Sequence, residues 1–439
     1  MARIAVIGAG ISGVTSAYSL LEAGHAVTVI DRRRYPAMET SFANGGQLSA
    51  SNAEVWNNAA TIGKALRWMF RRDAPLLLNP APSWHKYSWL AEFLWNVRDY
   101  REHTIQTARL AIEARQHLFA IAARENIAFD LERRGILHVV HDKAGFDAGL
   151  AVNELLRAGG LERHPVTADE IARIEPAMTG RYYGGFYTPS DATGDIHKFT
   201  RGLAGACGRK GAGFIQEAAV QSITSRGDHF RLVCAKTIPG SAVSGHAGNT
   251  LALEADKVVV CAGVESRRLA AMLGDRVNVY PVKGYSITVD LDDPQSQRAA
   301  PQVSLLDEAA KIVTSRLGAN RFRVAGTAEL NGFNRDIRAD RIEPLCQWVR
   351  DNFPAVGTAR VVPWAGLRPM MPSMMPVVRA GRRPGVYYNT GHGHLGWTLS
   401  AATAALLVQL IRAELESNAG ATRNRQAARA SGIAVQKEM

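Results

Sequence analysis

Residues 6–31, "VIGAGISGVTSAYSLLEAGHAVTVID", decide the fold of this chain. The apolar run that ends at Ile7 predicts a buried strand, and helical spacing follows as far as Gly24. "AVTVID" then predicts a second strand with Asp31 at its end. Three glycines between strand and helix complete the pattern G-x-G-x-x-G: Gly8, Gly10 and Gly13. Such a turn lets a pyrophosphate approach a helix N-terminus, and a terminal carboxylate can bind a ribose. The stretch therefore predicts a Rossmann-type dinucleotide site.

The choice of dinucleotide needs more of the chain. The charge of Asp31 disfavours the 2′-phosphate of NADP, although the following Arg32–Arg34 weakens that objection, so FAD and NAD both remain. A second strand–glycine–helix pattern, "GVYYNTGHGHLGWTLSAATAALLVQLI", occupies 385–411. Both ends of the chain then contribute to one nucleotide site, whereas NAD dehydrogenases usually complete that domain in one continuous stretch. This arrangement favours FAD.

The composition is that of a globular protein, with 46% hydrophobic and 21% charged residues. The net charge of +12 indicates an anionic partner, which could be a membrane surface or an acidic substrate. No nucleic-acid motif is present, so we expect no nucleic acid. The four cysteines are scattered, which predicts neither a disulfide framework nor a metal site and fits the cytoplasm. We expect no signal peptide and no membrane-spanning run.

Two segments differ in character from the rest. Residues 54–103 hold five of the eight tryptophans beside several Lys and Arg, and "TIGKALRWMFRR" within them could be a basic amphipathic helix. This composition suits a membrane interface, but it equally suits a helical part of a second domain with buried tryptophans. From 416 to 439 the apolar periodicity is lost, which predicts a mobile basic tail.

Six stretches along the chain carry a resemblance to a known family. They are "SFANGGQLSAS" (41–51), "DATGDIHKFT" (191–200), "CAGVES" (261–266), "PVKGYS" (281–286), "WAGLRPMMP" (364–372) and "NTGHGHLGW" (389–397). Together they resemble the glycine oxidase/D-amino-acid oxidase family of flavoproteins, and within it the bacterial D-amino-acid dehydrogenase (small subunit) branch.

The resemblance implies an α/β fold in which a discontinuous Rossmann-type FAD-binding domain carries an inserted α+β, mixed-sheet substrate domain. The FAD domain is expected at 1–50, 190–275 and 360–415, and the substrate domain at 51–189 and 276–359. The implied reaction is oxidative deamination of D-amino acids to 2-oxo acids and ammonia. A hydride would pass from the substrate Cα to flavin N5, and electrons would go on to a quinone or other respiratory acceptor. The implied location is the cytoplasm, with peripheral contact at the inner membrane.

The resemblance also assigns FAD contacts. The pyrophosphate, ribose and adenine would be served by Gly8, Gly10, Ile11, Ser12, Gly13, Asp31, Arg32, Arg33 and Val220. The isoalloxazine and ribityl chain would be served by Ser41, Gly45, Gly46, Gln47, Leu48, Ala262 and Gly263. The backbone N–H groups of Gly393, His394, Leu395, Gly396, Trp397 and Thr398 would face the flavin N1/O2 edge, where a helix N-terminus stabilises negative charge.

Arg368 is the expected partner of the substrate carboxylate, because its planar guanidinium suits two parallel hydrogen bonds. Tyr285 could donate a hydroxyl to the same carboxylate or close the pocket. His394 could be a second cation near the substrate, or it could contact only the FAD. We expect no dedicated catalytic base and no metal. Ser373-Met374-Met375-Pro376 stands where the family usually carries Asp-Gly. With Tyr187, this turn could reshape the pocket toward an apolar or bulky D-amino acid or a secondary amine such as a D-proline derivative, or it could be a surface turn without consequence.

Three other functions are compatible with some of these motifs. The first is a flavin oxidase that uses oxygen on glycine, sarcosine or proline derivatives. The second is a catalytically silent flavin-binding protein, which the presence of Arg368 argues against. The third is an NAD-dependent dehydrogenase, which would be colourless when purified.

Overall fold

The computed structural model of this protein describes residues 1–59, 61–63, 75–236 and 250–430, with side chains described as far as residue 417. Most of the predicted basic helix at 61–72 lies outside these residues. Strands and helices are numbered here in chain order. The ten α-helices with described bounds are α1 (Ile11–Glu22), α2 (Trp84–Trp95), α3 (Tyr100–Arg124), α4 (Lys143–Ala158), α5 (Ala168–Ile174), α6 (Ile196–Arg209), α7 (Ser266–Met272), α8 (Pro294–Ala299), α9 (Ala339–Asn352) and α10 (Gly396–Ala430).

A six-stranded sheet carries the glycine-rich turns. Its strands are β1 (Arg3–Ile7), β2 (Ala26–Ile30), β9 (Gly213–Ile215), β13 (Lys257–Val260), β19 (Val377–Ala380) and β20 (Val386–Thr390). They lie in the order β19-β20-β13-β1-β2-β9, and all neighbours are parallel except β19 and β20. β13 and β20 are buried along their whole length, as central strands of a parallel sheet are. The carboxyl ends of β1, β13 and β20 therefore meet at one edge.

A second, mixed sheet has nine strands among the described residues. They are β4 (Leu76–Leu78), β5 (Ile136–Val140), β6 (His164–Val166), β7 (Gly184–Thr188), β14 (Tyr280–Asp290), β15 (Ser304–Asp307), β16 (Ile312–Leu317), β17 (Arg321–Leu330) and β18 (Val361–Met370). The predicted domain boundary at residue 360 differs from this structure, because β18 pairs along its whole length with β14. β18, and "WAGLRPM" within it, therefore belongs to the large sheet.

Two small sheets complete the fold in the described part of the chain. Strands β10 (Ala218–Arg226), β11 (His229–Lys236) and β12 (Thr250–Ala255) form an antiparallel meander. Strands β3 (Gln47–Leu48) and β8 (Ala192–Thr193) form a short antiparallel pair. This pair joins the 41–51 loop, which borders the cavity described below, to the "DATG" turn.

The C-terminal helix α10 is longer than the sequence predicts. The chain stays helical to Ala430, so the first part of the predicted tail continues this helix, while residues 431–439 lie outside the described part. Its first half packs on α1 and α3 through buried side chains such as Leu407 and Ile411. By length and composition, Gly393–Ser417 could cross a membrane, with a mean hydropathy of 1.4. However, 61% of the most apolar 18-residue stretch of this segment is buried within the protein, as in the core helix of a soluble domain.

Candidate active site

A cavity of about 1620 Å³ is lined by residues of both large sheets. At one end lie the glycine turn after β1 and the residues that follow β2, β9 and β13. The middle is lined by the 41–47 loop and the turn before α10. The far part is lined by side chains of the nine-stranded sheet, including Trp364 and Arg368. The cavity exceeds the 300–1,000 Å³ of typical small-ligand sites, which fits a dinucleotide together with a second molecule.

The turn after β1 requires glycine at two positions. Gly8 has φ +112°, and a Cβ there would lie 2.5 Å from the backbone oxygen of Cys261. A Cβ on Gly13 would lie 1.8 Å from the backbone oxygen of Gly8. The turn is therefore packed against β13 on one side and against the first turn of α1 on the other. This close packing leaves the helix N-terminus open toward the cavity.

The N-terminus of α1 is arranged for an anion. The first turn carries no acidic residue, and the backbone N–H of Ile11 donates to Ser41 Oγ at 3.0 Å. Asp31, at the end of β2, accepts the Ala9 N–H at 2.6 Å and the Arg33 N–H at 2.7 Å. Burial raises the pKa of Asp31, and these two N–H groups oppose that rise. The carboxylate is thus fixed beside the glycine turn, where a ribose would lie.

The arginines after Asp31 already have carboxylate partners. Arg32 bonds Glu39 at 2.9 Å and Glu265 at 3.0 Å, and Arg33 bonds the same Glu39 at 2.7 Å. Both arginines line the cavity. Their charges are therefore shared with acids that draw together the loop after β2 and the turn after β13.

The second glycine turn places another helix N-terminus on the cavity. Residues 393–395 form one 3₁₀ turn, and α10 then begins without an acidic residue in its first turn. Thr398 Oγ1 accepts the Ser49 N–H at 3.2 Å, which ties this helix to the 41–51 loop. The indole N–H of Trp397 is buried and has no hydrogen-bond partner among the described residues. Gln47 Nε2 donates to Ser304 Oγ at 2.8 Å, which ties the loop to the large sheet.

The predicted cofactor residues come together, with two differences. Each of them lines the cavity except Gly13 and Leu48. Gly13 lies behind the turn, where only hydrogen fits. Leu48 is a buried core residue paired with Ala192, so it supports the loop from below. Two acid-free helix N-termini, a fixed carboxylate and two glycine turns on one cavity fit FAD.

Arg368 lies where the cavity meets the nine-stranded sheet. Its guanidinium lies over Gly284, where a Cβ would be 2.4 Å from the Arg368 Cζ. Its Nη1 donates to the backbone oxygen of Thr327 at 2.9 Å. No carboxylate of the described residues lies within ion-pair distance of it. Burial lowers the pKa of Arg368 to about 10, so the side chain stays cationic at neutral pH.

His394 is near Arg368 but is not a cation. Its ring stacks on Trp56 with centroids 4.9 Å apart, and Nε2 lies 3.4 Å from the backbone oxygen of Asn52. Burial, and secondly the charge of Arg368, lower the pKa of His394 to about 4. The expectation of a second cation is therefore wrong for this arrangement, and a neutral imidazole faces the cavity. His392 contacts Ser12 and the α10 residue Thr403, so it braces the turn.

Tyr285 does not reach toward Arg368. Its side chain is buried and its hydroxyl donates to Glu329 Oε2 at 2.8 Å. Lys283 bonds the same carboxylate at 3.0 Å, so both side chains lie on the face of β14 opposite Gly284. Tyr285 lines the cavity, but strand alternation turns its hydroxyl to the face opposite Arg368. This placement contradicts the predicted bond from the hydroxyl to a carboxylate held by Arg368.

The methionines and Tyr187 also lie elsewhere. Met374 is buried against Trp89, Tyr280 and neighbouring apolar residues, and Met375 Sδ accepts a hydrogen bond from Thr107. The Tyr187 hydroxyl donates to a backbone oxygen, and none of these three side chains lines the cavity. The cavity is instead lined by other polar residues of this region, namely Glu54, His138, Arg163, Glu308 and Lys311. This placement removes the reason for expecting an apolar pocket.

Several residues of the site carry weak sequence signals. Gly284 and Trp364 fall inside the quoted motifs, and a glycine within a strand indicates close approach of another group. Asp191 begins "DATGD" and accepts the N–H groups of Ala50 and Ser51 at 3.0 Å each. Thr327 lies in "FRVAGTAEL", where no local pattern distinguishes it.

Comparison with known proteins agrees with this geometry. Residues 3–410 match the family model described as FAD dependent oxidoreductase. "D-amino acid dehydrogenase 3" of Mesorhizobium japonicum is 63% identical over 419 residues, covering 95% of this chain and 99% of that protein. The D-amino acid dehydrogenase of Paramagnetospirillum magneticum is 40% identical over 420 residues, covering 93% and 94%.

Solved structures agree as well. The crystal structure of glycine oxidase from Geobacillus kaustophilus matches with a TM-score of 0.71 and 20% identity, over 94% of this chain and 95% of that one. L-proline dehydrogenase from P. horikoshii matches with a TM-score of 0.69 and 15% identity, over 93% and 92%. The predicted fold and the predicted FAD cofactor are confirmed. The chain belongs to the FAD dependent oxidoreductase family, in which D-amino acid dehydrogenases are its relatives.

Proposed function

We propose that this protein oxidatively deaminates D-amino acids to 2-oxo acids and ammonia, a proposal that its relatives, named D-amino acid dehydrogenases, support. The observation that carries the proposal is Arg368, a guanidinium without an acidic partner among the described residues, set in the cavity that fits FAD. When bound, FAD supplies the acceptor for the hydride that leaves the substrate Cα. The protein contributes position and electrostatics.

In this proposal Arg368 binds the substrate carboxylate through two parallel hydrogen bonds, because its fork matches a carboxylate. Gly284 leaves room for the guanidinium. Trp364 lies on the same face of β18 as Arg368, four residues away along the strand. The neutral His394 offers an uncharged hydrogen-bonding partner at the same place, since its low pKa keeps it unprotonated above about pH 5. The substrate amine must lose its proton before hydride leaves, and no dedicated base is proposed.

The two helix N-termini serve the cofactor. The N-terminus of α1 and Asp31 would hold the pyrophosphate and the ribose. The turn at Gly393 and the start of α10 would face the N1/O2 edge of the flavin, where negative charge collects on reduction. Because both helices lack acidic residues in the first turn, neither dipole is cancelled locally.

The experiment that tests this function is anaerobic. The purified protein is mixed with a panel of D- and L-amino acids and proline derivatives while its visible spectrum is recorded. We expect a yellow protein that D-amino acids bleach and L-amino acids do not. Bleaching by cyclic or N-methylated amines alone would leave the family assignment intact but would overturn the proposal that D-amino acids are the substrates.

We further propose that the electron acceptor is a respiratory quinone or another acceptor different from oxygen, rather than oxygen itself. Under air, a dye or a soluble quinone should be reduced while little hydrogen peroxide forms. Stoichiometric peroxide would instead favour an oxidase of glycine, sarcosine or proline derivatives.

The surface of α2 supports a peripheral contact with the inner membrane on its cytoplasmic side. Trp84 is 81% exposed, Trp95 65%, Leu94 53% and Tyr87 48%. Their spacing places them on one face of the helix, while Trp89 on the opposite face is buried. Arg98 continues the stripe and lies 4.3 Å from the Trp95 ring centroid. Exposed aromatic and basic side chains on one stripe suit the headgroup region of a bilayer.

Sedimentation with vesicles tests this contact. The protein should co-sediment with vesicles that contain anionic lipid, and the double variant Trp84→Ser with Trp95→Ser should bind at least about fivefold more weakly. Flavin reduction by substrate should be unchanged in that variant. Equal binding by both proteins would exclude α2 as the contact.

A further inference from the structure

A β-bulge in β17 lies directly beside Arg368. On β14, Lys283 pairs with Glu329 and Tyr285 pairs with Gly326, so two residue steps on one strand oppose three on the other. The extra residue falls in the interval that contains Thr327, whose φ is +57°. A β-branched residue in the left-handed region is a true outlier. Such strain persists where the surrounding structure holds it in place, often at functional sites.

The bulge turns one carbonyl toward the cavity. In a regular ladder, backbone oxygens bond the neighbouring strand, whereas a bulged residue leaves the ladder. Here the Thr327 oxygen accepts Arg368 Nη1 at 2.9 Å. This is the one hydrogen bond that the guanidinium makes to the described residues. Its orientation over Gly284 therefore depends on the geometry of the bulge.

The face of the sheet behind the bulge holds a buried charge cluster. The Glu329 carboxylate accepts the Tyr285 hydroxyl at 2.8 Å and Lys283 Nζ at 3.0 Å. Lys283 and Tyr285 are the two β14 residues that bracket the bulge. Arg338 adds a contact to the other oxygen at 3.3 Å. One carboxylate thus joins both ends of the interval in which the extra residue lies.

We infer that Glu329 and Tyr285 are positioning residues, which hold the Thr327 bulge so that Arg368 presents its guanidinium to the substrate carboxylate. The inference rests on the proposed role of Arg368. The Tyr285 hydroxyl and the Glu329 carboxylate bond each other on the face of β14 opposite Gly284, so we expect neither group to touch the substrate. Loosening the bulge should therefore weaken carboxylate binding and leave the rate of the bound substrate nearly unchanged.

The test is a double-mutant cycle in the FAD-loaded protein. Glu329→Gln and Tyr285→Phe are each made in the native chain and in Arg368→Lys, and KM and kcat are measured for the best substrate of the panel. The dissociation constant of propionate, a carboxylate without an amine, is measured by calorimetry. We expect Glu329→Gln to raise both KM and this constant roughly tenfold and Tyr285→Phe roughly threefold, with kcat within about twofold.

In the Arg368→Lys background, Glu329→Gln and Tyr285→Phe should no longer raise KM or the propionate dissociation constant. The reason is that the lysine lacks the guanidinium whose orientation the Thr327 carbonyl fixes. Equal increments in both backgrounds would overturn the inference, as would a fall in kcat at unchanged KM. If Arg368→Lys alone leaves KM unchanged, the proposed role of Arg368 fails instead. Tyr285→Phe keeps the Lys283–Glu329 pair, so it carries the test if Glu329→Gln does not fold.

Tyr388→Phe is the matched control. Its hydroxyl donates to the buried Asp275 at 2.8 Å, which is the same kind of bond made from the six-stranded sheet instead of from β14. We expect a similar loss of thermal stability and no change in KM. A KM change in this control equal to that of Tyr285→Phe would show that loss of any such bond is enough, and would refute the positioning role.

Discussion

The two large sheets form their shares of the site in different ways. The six-stranded sheet offers backbone: glycine turns at Gly8 and Gly393, two helix N-termini and one fixed carboxylate. The nine-stranded sheet offers side chains held by strand pairing, above all Arg368 over Gly284. At the tightly packed glycines Gly8 and Gly13, an added Cβ would collide with backbone atoms. On the nine-stranded sheet, by contrast, binding would be lost by removing one side-chain group, the guanidinium of Arg368. Substitutions on the two sides should therefore separate cofactor binding from substrate binding.

The sharpest test of the backbone side is Gly13→Ala. The new Cβ would lie 1.8 Å from the Gly8 oxygen, so the glycine turn and α1 cannot both keep their places. We expect no FAD-loaded protein, measured by the visible spectrum after purification. Gly208→Ala in α6 is the control, since nothing lies within 4 Å of its Cβ, and it should purify yellow. A yellow Gly13→Ala protein would contradict the packing described here.

The corresponding change on the side-chain side is Arg368→Met. Removing the guanidinium should lower kcat/KM by roughly 1,000-fold, the effect of losing a buried charge-assisted pair, while FAD stays bound. Steady-state kinetics and the flavin spectrum measure the two effects separately. Arg360→Met removes an exposed pair with Asp292 and should change kcat/KM less than about twofold. Loss of FAD in Arg368→Met would break the separation between the two sheets.

Asp31→Asn should have a smaller effect on the cofactor side. The shape is kept, but an amide can accept only one of the two N–H groups that the carboxylate accepts now. We expect FAD to bind roughly tenfold more weakly, as measured by fluorescence titration, and kcat at saturating FAD to stay near native. A tenfold fall in kcat with unchanged FAD affinity would place Asp31 in the chemistry instead.

The turn before α10 predicts a pH effect on stability. Burial lowers the pKa of His392 to about 4, below its ordinary value of 6.5. Between these values the unfolded chain binds the proton that the folded chain refuses, so acid favours unfolding. His392 should contribute a loss of at most about 1.4 kcal/mol per pH unit as the pH falls from 6.5 to 4. Denaturant melts of native protein and His392→Asn should differ in this slope, and parallel slopes would exclude the contribution.

The smallest effect is expected for Met375→Leu. The Met375 side chain contacts Thr107 and does not line the cavity, so the order of preference among D-amino acids should stay the same. A panel of kcat/KM values measures this. A changed order of preference would indicate that Met375 lines the substrate pocket.

The same contrast explains what could be predicted from the sequence. The first glycine turn and Asp31 lie within 31 residues, and local patterns specify their geometry. Arg368 could be predicted from a resemblance because it lies in a motif. Its support could not, because the bulge at Thr327 exists only in the register between β14 and β17. The expected contact of Tyr285 with the substrate carboxylate fails for a related reason, since a motif does not state which face of a strand a residue occupies.

The position of β1 in its sheet has a consequence for synthesis of the chain. β1 pairs with residues 257–260, and residues 258–260 pair with residues 386–388, so each of these two strand pairs joins segments separated by more than a hundred residues of chain. The nascent chain therefore carries an open strand edge until residues 386–388 have emerged, and edges of this kind invite aggregation. Flavin binding must follow synthesis of the α10 N-terminus, so the supply of FAD at that moment should govern the yield of folded protein.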